Sequence, residues 1–131
     1  MTTMNRLATC KNHFQGKHKR VLCVCSAGIL RSPTAAFVLS NAPYNFNTRA
    51  AGVETEFALI PLDEVLVAWA DEIVCMDEYH AKKVIELLPE GSDKRIVVLD
   101  IPDKYEYRSS ELINEIKVKY DHAIEMEELL K

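Results

Sequence analysis

The sequence predicts an α/β fold, a three-layer sandwich built around a four-stranded, mostly parallel sheet. Four short apolar runs alternate along the chain with four segments of helical period, and parallel neighbours in a sheet need helical crossovers of this kind. The 131 residues, 48% of them apolar, are enough for one compact domain and leave no room for a second sizeable core. We therefore expect one sheet covered by helices on both faces.

The first unit combines a strand, a loop and a helix. Residues 21–25 form a continuous apolar run, which is typical of a strand buried on both faces. A loop of small residues, 26–28, follows it. Ser32 before Pro33 then predicts a helix start, with an N-cap residue followed by proline at the first helical position, and the helix is expected to end at Ser40. A strand that enters a helix through such a loop is typical of a phosphate-binding unit.

Three further strands and helices are predicted in alternation. The strands are expected at 47–53, 71–76 and 95–99. Pro61 is expected to open the second helix and Asp77 to cap the third. Ser109 or Ser110 is expected to cap the last helix, after a loop over residues 100–108. The apolar residues of these three helices recur at spacings of three and four: Leu62, Val65, Leu66 and Trp69; Ala81, Val84, Ile85 and Leu88; Leu112, Ile113, Ile116, Tyr120, Ala123 and Ile124.

Charge and hydropathy limit the class of protein. The formal net charge is −4, yet residues 1–53 carry seven Lys or Arg and no Asp or Glu. This segment lacks the interleaved basic and aromatic residues of a nucleic-acid surface, and the remainder is acidic, so we expect a local anion site and no nucleic-acid partner. The apolar runs are too short to cross a membrane, and residues 1–20 lack the apolar centre of a secretory signal. These features predict a cytoplasmic protein with a flexible extension, 1–19, and a folded domain, 20–131.

The four cysteines are Cys10, Cys23, Cys25 and Cys75, too few and too unevenly spaced to predict a disulfide framework. The spacing of Cys23 and Cys25 does not suit structural zinc, and no second close Cys/His pair complements it. No metal site is therefore predicted, and at least one cysteine becomes a candidate for chemistry.

Cys25 and Arg31 are separated by five residues, in a loop that leads into a helix N-terminus. This spacing suits an oxyanion cradle, because loop amides, the helix dipole and a two-pronged guanidinium all attract a phosphate. The same field favours the nucleophilic thiolate of Cys25, to which Ser32 can donate a hydrogen bond. Gly28 is expected to adopt the left-handed conformation that turns the loop. The predicted phosphate-binding residues are Ser26, Ala27, Gly28, Ile29, Leu30, Arg31 and Ser32.

A carboxylate in the loop after the fourth strand is the candidate general acid and base. Asp103 follows Pro102, which stiffens the loop, and Asp100 is the alternative. Tyr105 and Tyr107 in the same loop are candidates for an aromatic wall beside a phenyl ring. Loop tyrosines of this kind more often pack against the protein itself.

Residues 21–33 resemble the signature of the low-molecular-weight protein tyrosine phosphatases, a Cys-x5-Arg-Ser motif in a strand, loop and helix. Weaker similarities follow in the family's order. Residues 49–52 resemble its Ser-Ala-Gly segment, residues 70–77 its Ala-Asp-x-Ile-x-x-Met-Asp strand, and residues 101–105 its Asp-Pro-Tyr loop. The resemblance covers about residues 20 to 130 and implies a phosphotyrosine phosphatase I-like fold.

The resemblance also implies a phosphomonoester hydrolase that needs no metal or cofactor. Cys25 would attack phosphorus and become a phosphocysteine, while Arg31 and the loop amides hold the phosphoryl oxygens. Asp103 would protonate the leaving oxygen and later activate the hydrolytic water. The implied substrate is a phosphorylated protein or a small aryl phosphate such as phosphotyrosine, and inorganic phosphate or sulfate is expected to occupy the loop.

The sequence departs from the family pattern at three places. Gly28 stands where asparagine is common and Leu30 where a second cysteine is common, so that Cys23, on the same side of the strand as Cys25, is the remaining candidate for a redox partner. Only 18 residues separate Gly52 from Asp71, fewer than the family's usual connection. Lys104 replaces the proline that usually follows the aspartate.

Three other functions remain open at this point. Thioredoxin-coupled arsenate reductases have a similar Cys-x5-Arg loop but need two further cysteines, whereas only Cys75 follows the loop here. Residues 25–28 also resemble the loop of phosphotransferase-system IIB components, which carry phosphate on cysteine, although Arg31 and Asp103 would shorten the life of such an intermediate. The third alternative is a phosphate-binding module whose catalysis has lapsed.

Overall fold

The computed structural model describes residues 18–28 and 30–129. The described strands are β1 (Arg20–Cys25), β2 (Asn47–Gly52), β3 (Glu72–Cys75) and β4 (Arg95–Val98). The described helices are α1 (Arg31–Ser40), α2 (Glu64–Trp69), α3 (Glu78–Glu86) and α4 (Ser110–Leu129). Strands and helices alternate as the sequence predicts.

The four strands form one parallel sheet in the order β2-β1-β3-β4. β1 lies in the middle, where Cys25 pairs with Gly52 of β2 and Val24 pairs with Cys75 of β3. Because all strands run in one direction, the loops after their last residues meet at one edge of the sheet. Most of the candidate site residues stand in these loops or directly after them.

Two hydrophobic clusters cover the two faces of the sheet and confirm the three-layer sandwich. One face packs against α1 and α4, with residues such as Leu39 and Ile116 fully buried. The other face packs against α2 and α3, with Trp69 and Val84 at its centre. Successive residues of β1 alternate between the clusters, so Cys23 and Cys25 point to one face and Leu22 and Val24 to the other.

Two predicted helix starts are wrong. α1 begins at Arg31, and Leu30 rather than Ser32 is its N-cap residue, so Pro33 falls at the third helical position. Proline is tolerated there because the first N–H groups of a helix have no partner within the helix. α2 begins at Glu64 rather than Pro61, since the Asp63 side chain accepts a hydrogen bond from the Leu66 N–H at 2.9 Å. Pro61 instead forms an isolated bridge with Gly52.

A buried carboxylate, Glu72, stabilises the other end of the sheet. It accepts hydrogen bonds from the Tyr120 hydroxyl at 2.7 Å and from Lys19 Nζ at 3.3 Å, and it pairs with Arg95 Nε at 2.6 Å. The Lys19 carbonyl also accepts a hydrogen bond from the Asn47 N–H at 2.9 Å.

Residues 1–17, most of the predicted extension, lie outside the described residues. Within the described part of the chain, no helix is long and apolar enough to cross a membrane.

Candidate functional site

Cys25 is the last residue of β1, and its sulfur lies inside the turn of the following loop. The Gly28 N–H donates a hydrogen bond to Cys25 Sγ at 3.2 Å, and Ser32 Oγ lies 3.1 Å from the same sulfur. Ser32 Oγ is also 3.3 Å from the Ala51 carbonyl, which accepts a hydrogen bond from the Ser32 hydroxyl when Cys25 is a thiol. When Cys25 is a thiolate, the Ser32 hydroxyl can instead donate its hydrogen bond to the sulfur. The side chain of Cys25 is only 3% exposed.

The loop is fixed by close packing against the end of β2. Gly28 has a φ of +72°, which confirms the predicted left-handed conformation. A Cβ added to Gly52 would lie 2.5 Å from the Ala27 carbonyl carbon, so only glycine allows this approach of two backbones. The N–H groups of Val53 and Glu54 donate to the carbonyls of Cys25 and Ser26 at 3.0 and 2.8 Å. The loop therefore takes its shape from β2 and the residues after it.

Arg31, the first residue of α1, is buried and faces the ends of three strands. Its Nη1 donates to the Ile101 carbonyl at 2.9 Å and lies 3.8 Å from Asp77 Oδ2. Its Nε lies 3.7 Å from Asp103 Oδ1. These contacts bring Arg31 together with Asp103, the predicted general acid, and with Asp77, which the sequence predicts as a helix cap and not as a site residue.

The loop between β4 and α4 carries Asp103 and is held at both ends. Ile101 is buried, and its N–H donates to the Met76 carbonyl at 2.8 Å. The Arg108 N–H donates to Thr34 Oγ1 of α1 at 3.2 Å. Asp100 adopts a φ of +56°, and its carbonyl accepts a hydrogen bond from Lys119 Nζ at 2.6 Å. Asp103 thus stands between two fixed points, and its side chain is 66% exposed.

A cavity of about 400 Å³ opens beside Arg31. Its lining comprises Ser26, Arg31, Asp77, Asp100, Ile101, Pro102 and Asp103. Neither predicted wall residue is part of this lining. Tyr105 is partly buried and packs against the core cluster of α1 and α4, and Tyr107 is exposed, with the Arg108 guanidinium 5.3 Å from its ring centre. Ala27 and Leu30 are placed in the loop, whereas Ile29 lies outside the described residues.

His80 is a site residue that the sequence reasoning missed. It is fully buried in the first turn of α3, where its Nδ1 accepts the Asp77 N–H at 3.1 Å and its Nε2 lies 3.0 Å from Ser26 Oγ. Burial lowers the pKa of His80 below its ordinary value and outweighs the opposing effect of Asp77. Asp77 and His80 form a capping box at the start of α3. Nothing in it indicates the contact with Ser26.

The other described cysteines are structural. Cys23 is fully buried, and burial raises the pKa of its thiol, with a further contribution from Glu72. Cys75 belongs to the cluster on the opposite face of the sheet, and burial raises the pKa of its thiol to about 12. Both thiols are therefore protonated at neutral pH, which disfavours a redox role for either. Cys10 lies outside the described residues. Within residues 18–28 and 30–129, no group of three or more Cys, His, Asp or Glu is placed to hold a metal ion.

Comparison with solved structures identifies the fold. Wzb of Vibrio vulnificus, solved in complex with benzylphosphonate, is 22% identical, with a TM-score of 0.58 over 83% of this chain and 96% of that one. The arginine phosphatase YwlE of Geobacillus stearothermophilus is 23% identical, with a TM-score of 0.58 over 85% and 96%. The low-molecular-weight protein tyrosine phosphatase of T. tengcongensis is 22% identical, with a TM-score of 0.62 over 82% and 99%. The chain has the fold of these proteins. No family model and no curated protein matches the sequence.

Gly52→Ala should destabilise the domain through the loop. The added methyl group would be forced against the Ala27 backbone, and overpacking of this kind costs about 3 kcal/mol of unfolding free energy. Urea denaturation of both variants provides the measurement, with Gly91→Ala as the control. Gly91 also has a positive φ but no atom within 4 Å of an added Cβ, so its replacement should cost only about 1 kcal/mol. Equal losses for the two variants would contradict the close packing of the loop on β2.

Proposed function

We propose that this chain is a cysteine-dependent phosphatase that hydrolyses phosphomonoesters through a phosphocysteine on Cys25. The observation that carries the proposal is the environment of the sulfur. Cys25 Sγ accepts the Gly28 N–H and lies 3.1 Å from Ser32 Oγ, in a loop that ends at the buried Arg31 and a helix N-terminus. This arrangement supports an anion site beside a nucleophile. The fold shared with solved tyrosine and arginine phosphatases supports the proposal.

In the first step Cys25 Sγ attacks phosphorus, so an S–P bond forms and the bond to the leaving group breaks. Arg31 and the amides of residues 26–32 hold the other phosphoryl oxygens. Asp103 donates a proton to the leaving oxygen. Its carboxylate lines the cavity and lies 3.7 Å from Arg31 Nε, so a phosphoryl group held by Arg31 brings its leaving group close to Asp103.

In the second step a water attacks the phosphocysteine, and Asp103 accepts the proton of that water. The S–P bond breaks, inorganic phosphate leaves, and Ser32 donates a hydrogen bond to the thiolate that reforms. Protein groups and water supply every proton in the two steps. Asp103 is favoured over Asp100 because its Oδ1 lies 3.7 Å from Arg31 Nε, whereas Asp100 turns the backbone at the start of the loop.

Two substrate classes are proposed for this cavity. We propose aryl phosphates as the first class, in agreement with the benzylphosphonate that Vibrio vulnificus Wzb binds. The second class is N-phosphoarginine, which the acidic lining favours. The lining contains the carboxylates of Asp77, Asp100 and Asp103 against the single cation of Arg31, and they would attract a cationic leaving guanidinium more than a neutral leaving phenol. YwlE, of the same fold, is an arginine phosphatase.

Incubation with a ³²P-labelled aryl phosphate and rapid quench tests the reaction itself. The label should appear on Cys25 and disappear within the turnover time, whereas durable label would indicate a phosphate carrier and absence of label a binding module.

Cys25→Ser should lower the rate of hydrolysis on the order of a thousandfold or more, because the weaker nucleophile cannot form the intermediate. Cys75→Ala, which changes a thiol on the other face of the sheet, is the control and should retain activity. An active Cys25→Ser variant would rule out the mechanism.

Asp103→Asn should slow the hydrolysis of poor leaving groups most. Loss of a general acid costs about 100- to 10,000-fold when the leaving oxygen needs a proton, and much less for 4-nitrophenolate, which leaves without one. The slope of log kcat/KM against the pKa of the leaving group measures this effect for phenyl and nitrophenyl phosphates, because kcat/KM reports the first step, in which the leaving group departs. Asp93→Asn, at an exposed position of the β3–β4 connection, is the control. A steeper slope in Asp100→Asn than in Asp103→Asn would transfer the role to Asp100.

The ratio of kcat/KM for a phosphotyrosine peptide and for a phosphoarginine peptide of the same sequence distinguishes the two substrate classes. If the carboxylates select a cationic leaving group, Asp100→Asn should lower kcat/KM for the phosphoarginine peptide by about threefold or more and leave the phosphotyrosine value equal or higher. A wild-type preference of more than about tenfold for phosphotyrosine, together with equal effects of Asp100→Asn on both peptides, would reject phosphoarginine.

A further inference from the structure

A hydrogen bond joins the phosphate-binding loop to α3 across the edge of the sheet. Ser26 Oγ, directly after Cys25, lies 3.0 Å from His80 Nε2. Glu54 forms a second connection between the loop and α3. The Ser26 carbonyl accepts the Glu54 N–H at 2.8 Å, and the Glu54 carboxylate accepts the hydroxyl of Tyr79, the neighbour of His80, at 3.0 Å. Glu54 therefore links the backbone of Ser26 to the start of α3, beside the direct contact of the Ser26 side chain with His80.

The direction of this hydrogen bond follows from the other nitrogen of the ring. His80 Nδ1 accepts the backbone N–H of Asp77 at 3.1 Å, so Nδ1 carries no proton. In a neutral imidazole the proton then stands on Nε2, and Nε2 donates to Ser26 Oγ. Full burial of His80 favours this neutral form.

Ser26 Oγ is consequently an acceptor toward the protein. It accepts His80 Nε2–H, and Arg31 Nη2 lies 3.5 Å away as a second, weaker donor. The Ser26 hydroxyl therefore remains available to donate a hydrogen bond to a third group. Ser26 and Arg31 both line the cavity, and Arg31 Nη2 is close enough to Ser26 Oγ for one oxygen in the cavity to bind both groups.

We propose that the Ser26 hydroxyl donates a hydrogen bond to an oxygen of the phosphoryl group, and that His80 is a positioning residue that orients this hydroxyl. The inference rests on the proposed function, because it assigns these residues to the same anion site. It adds to that site a side-chain donor beside the loop amides and Arg31. It also gives α3 a part in binding, although no residue of that helix lines the cavity.

Equilibrium binding of inorganic phosphate, measured by titration calorimetry, tests the role of Ser26. Ser26→Ala removes a donor to a charged acceptor and should weaken phosphate binding about tenfold. Ser40→Ala is the control, since the Ser40 hydroxyl donates to the Phe37 carbonyl at the far end of α1, and it should bind phosphate as the wild type does. Phosphate affinity within about twofold of the wild type in Ser26→Ala would overturn the proposal.

A double-mutant cycle tests the role of His80. His80→Phe keeps an aromatic ring but removes both nitrogens, and should also weaken phosphate binding several-fold. In the Ser26→Ala background the same change should have less than about a twofold effect, because His80 acts through Ser26. His80→Gln retains an N–H and should bind phosphate at least about threefold more tightly than His80→Phe. Equal loss in both backgrounds, or equal affinity of the Gln and Phe variants, would show that His80 only supports the fold.

Two features keep this test separate from that of the proposed function. Phosphate binding needs no turnover, so a loss in Ser26→Ala is measurable even if the wild type hydrolyses nothing. Conversely, transient label on Cys25 with unchanged phosphate affinity in Ser26→Ala would leave the phosphatase standing and refute only the role of Ser26. If His80→Phe does not fold, as judged by its melting temperature, Ser26→Ala against Ser40→Ala still decides the proposal.

Discussion

The buried guanidinium of Arg31 is the interaction on which the candidate site depends. It is only 4% exposed, and its contacts join the loop after β1, at Ser26, to the loops after β3 and β4, at Asp77, Ile101 and Asp103. An unpaired buried charge costs several kcal/mol, so the guanidinium can stay at this position only while a carbonyl and carboxylates surround it. The same contacts set the positions of the three loops relative to one another. Loss of either carboxylate therefore changes both the charge balance around Arg31 and the packing of the loops that it joins.

The fold could be predicted from the sequence because its elements have strong local patterns. The apolar run of β1, the cap at Asp77 and the spacing of apolar residues in α4 all depend on neighbours within a few positions. The errors arise where a tertiary contact overrides the local pattern. Ser32 looks like a cap before Pro33, but its hydroxyl lies between Cys25 Sγ and the Ala51 carbonyl, and the helix begins earlier. Pro61 is taken up by the bridge to Gly52, which the sequence does not reveal.

The candidate site could be predicted only in part, for the same reason. Cys25, Gly28 and Arg31 belong to one loop, so their spacing already indicates an anion cradle. Ser26 and His80 are 54 positions apart, and they meet only because β1 and β3 are neighbours in the sheet. No local pattern indicates that contact.

In the proposed reaction, an incoming phosphoryl group competes with carboxylates for Arg31. Asp77 and Asp103 lie 3.8 and 3.7 Å from the guanidinium, and a phosphate dianion between them would be repelled unless one carboxylate moves away. Asp77 is held by the N–H groups of Tyr79 and His80, which it accepts as the cap of α3. Asp103 stands in an exposed loop position without such a cap, so it is the group that responds. Displacement of Asp103 from Arg31 would leave room for the phosphoryl oxygens, while Asp77 keeps its place at the start of α3.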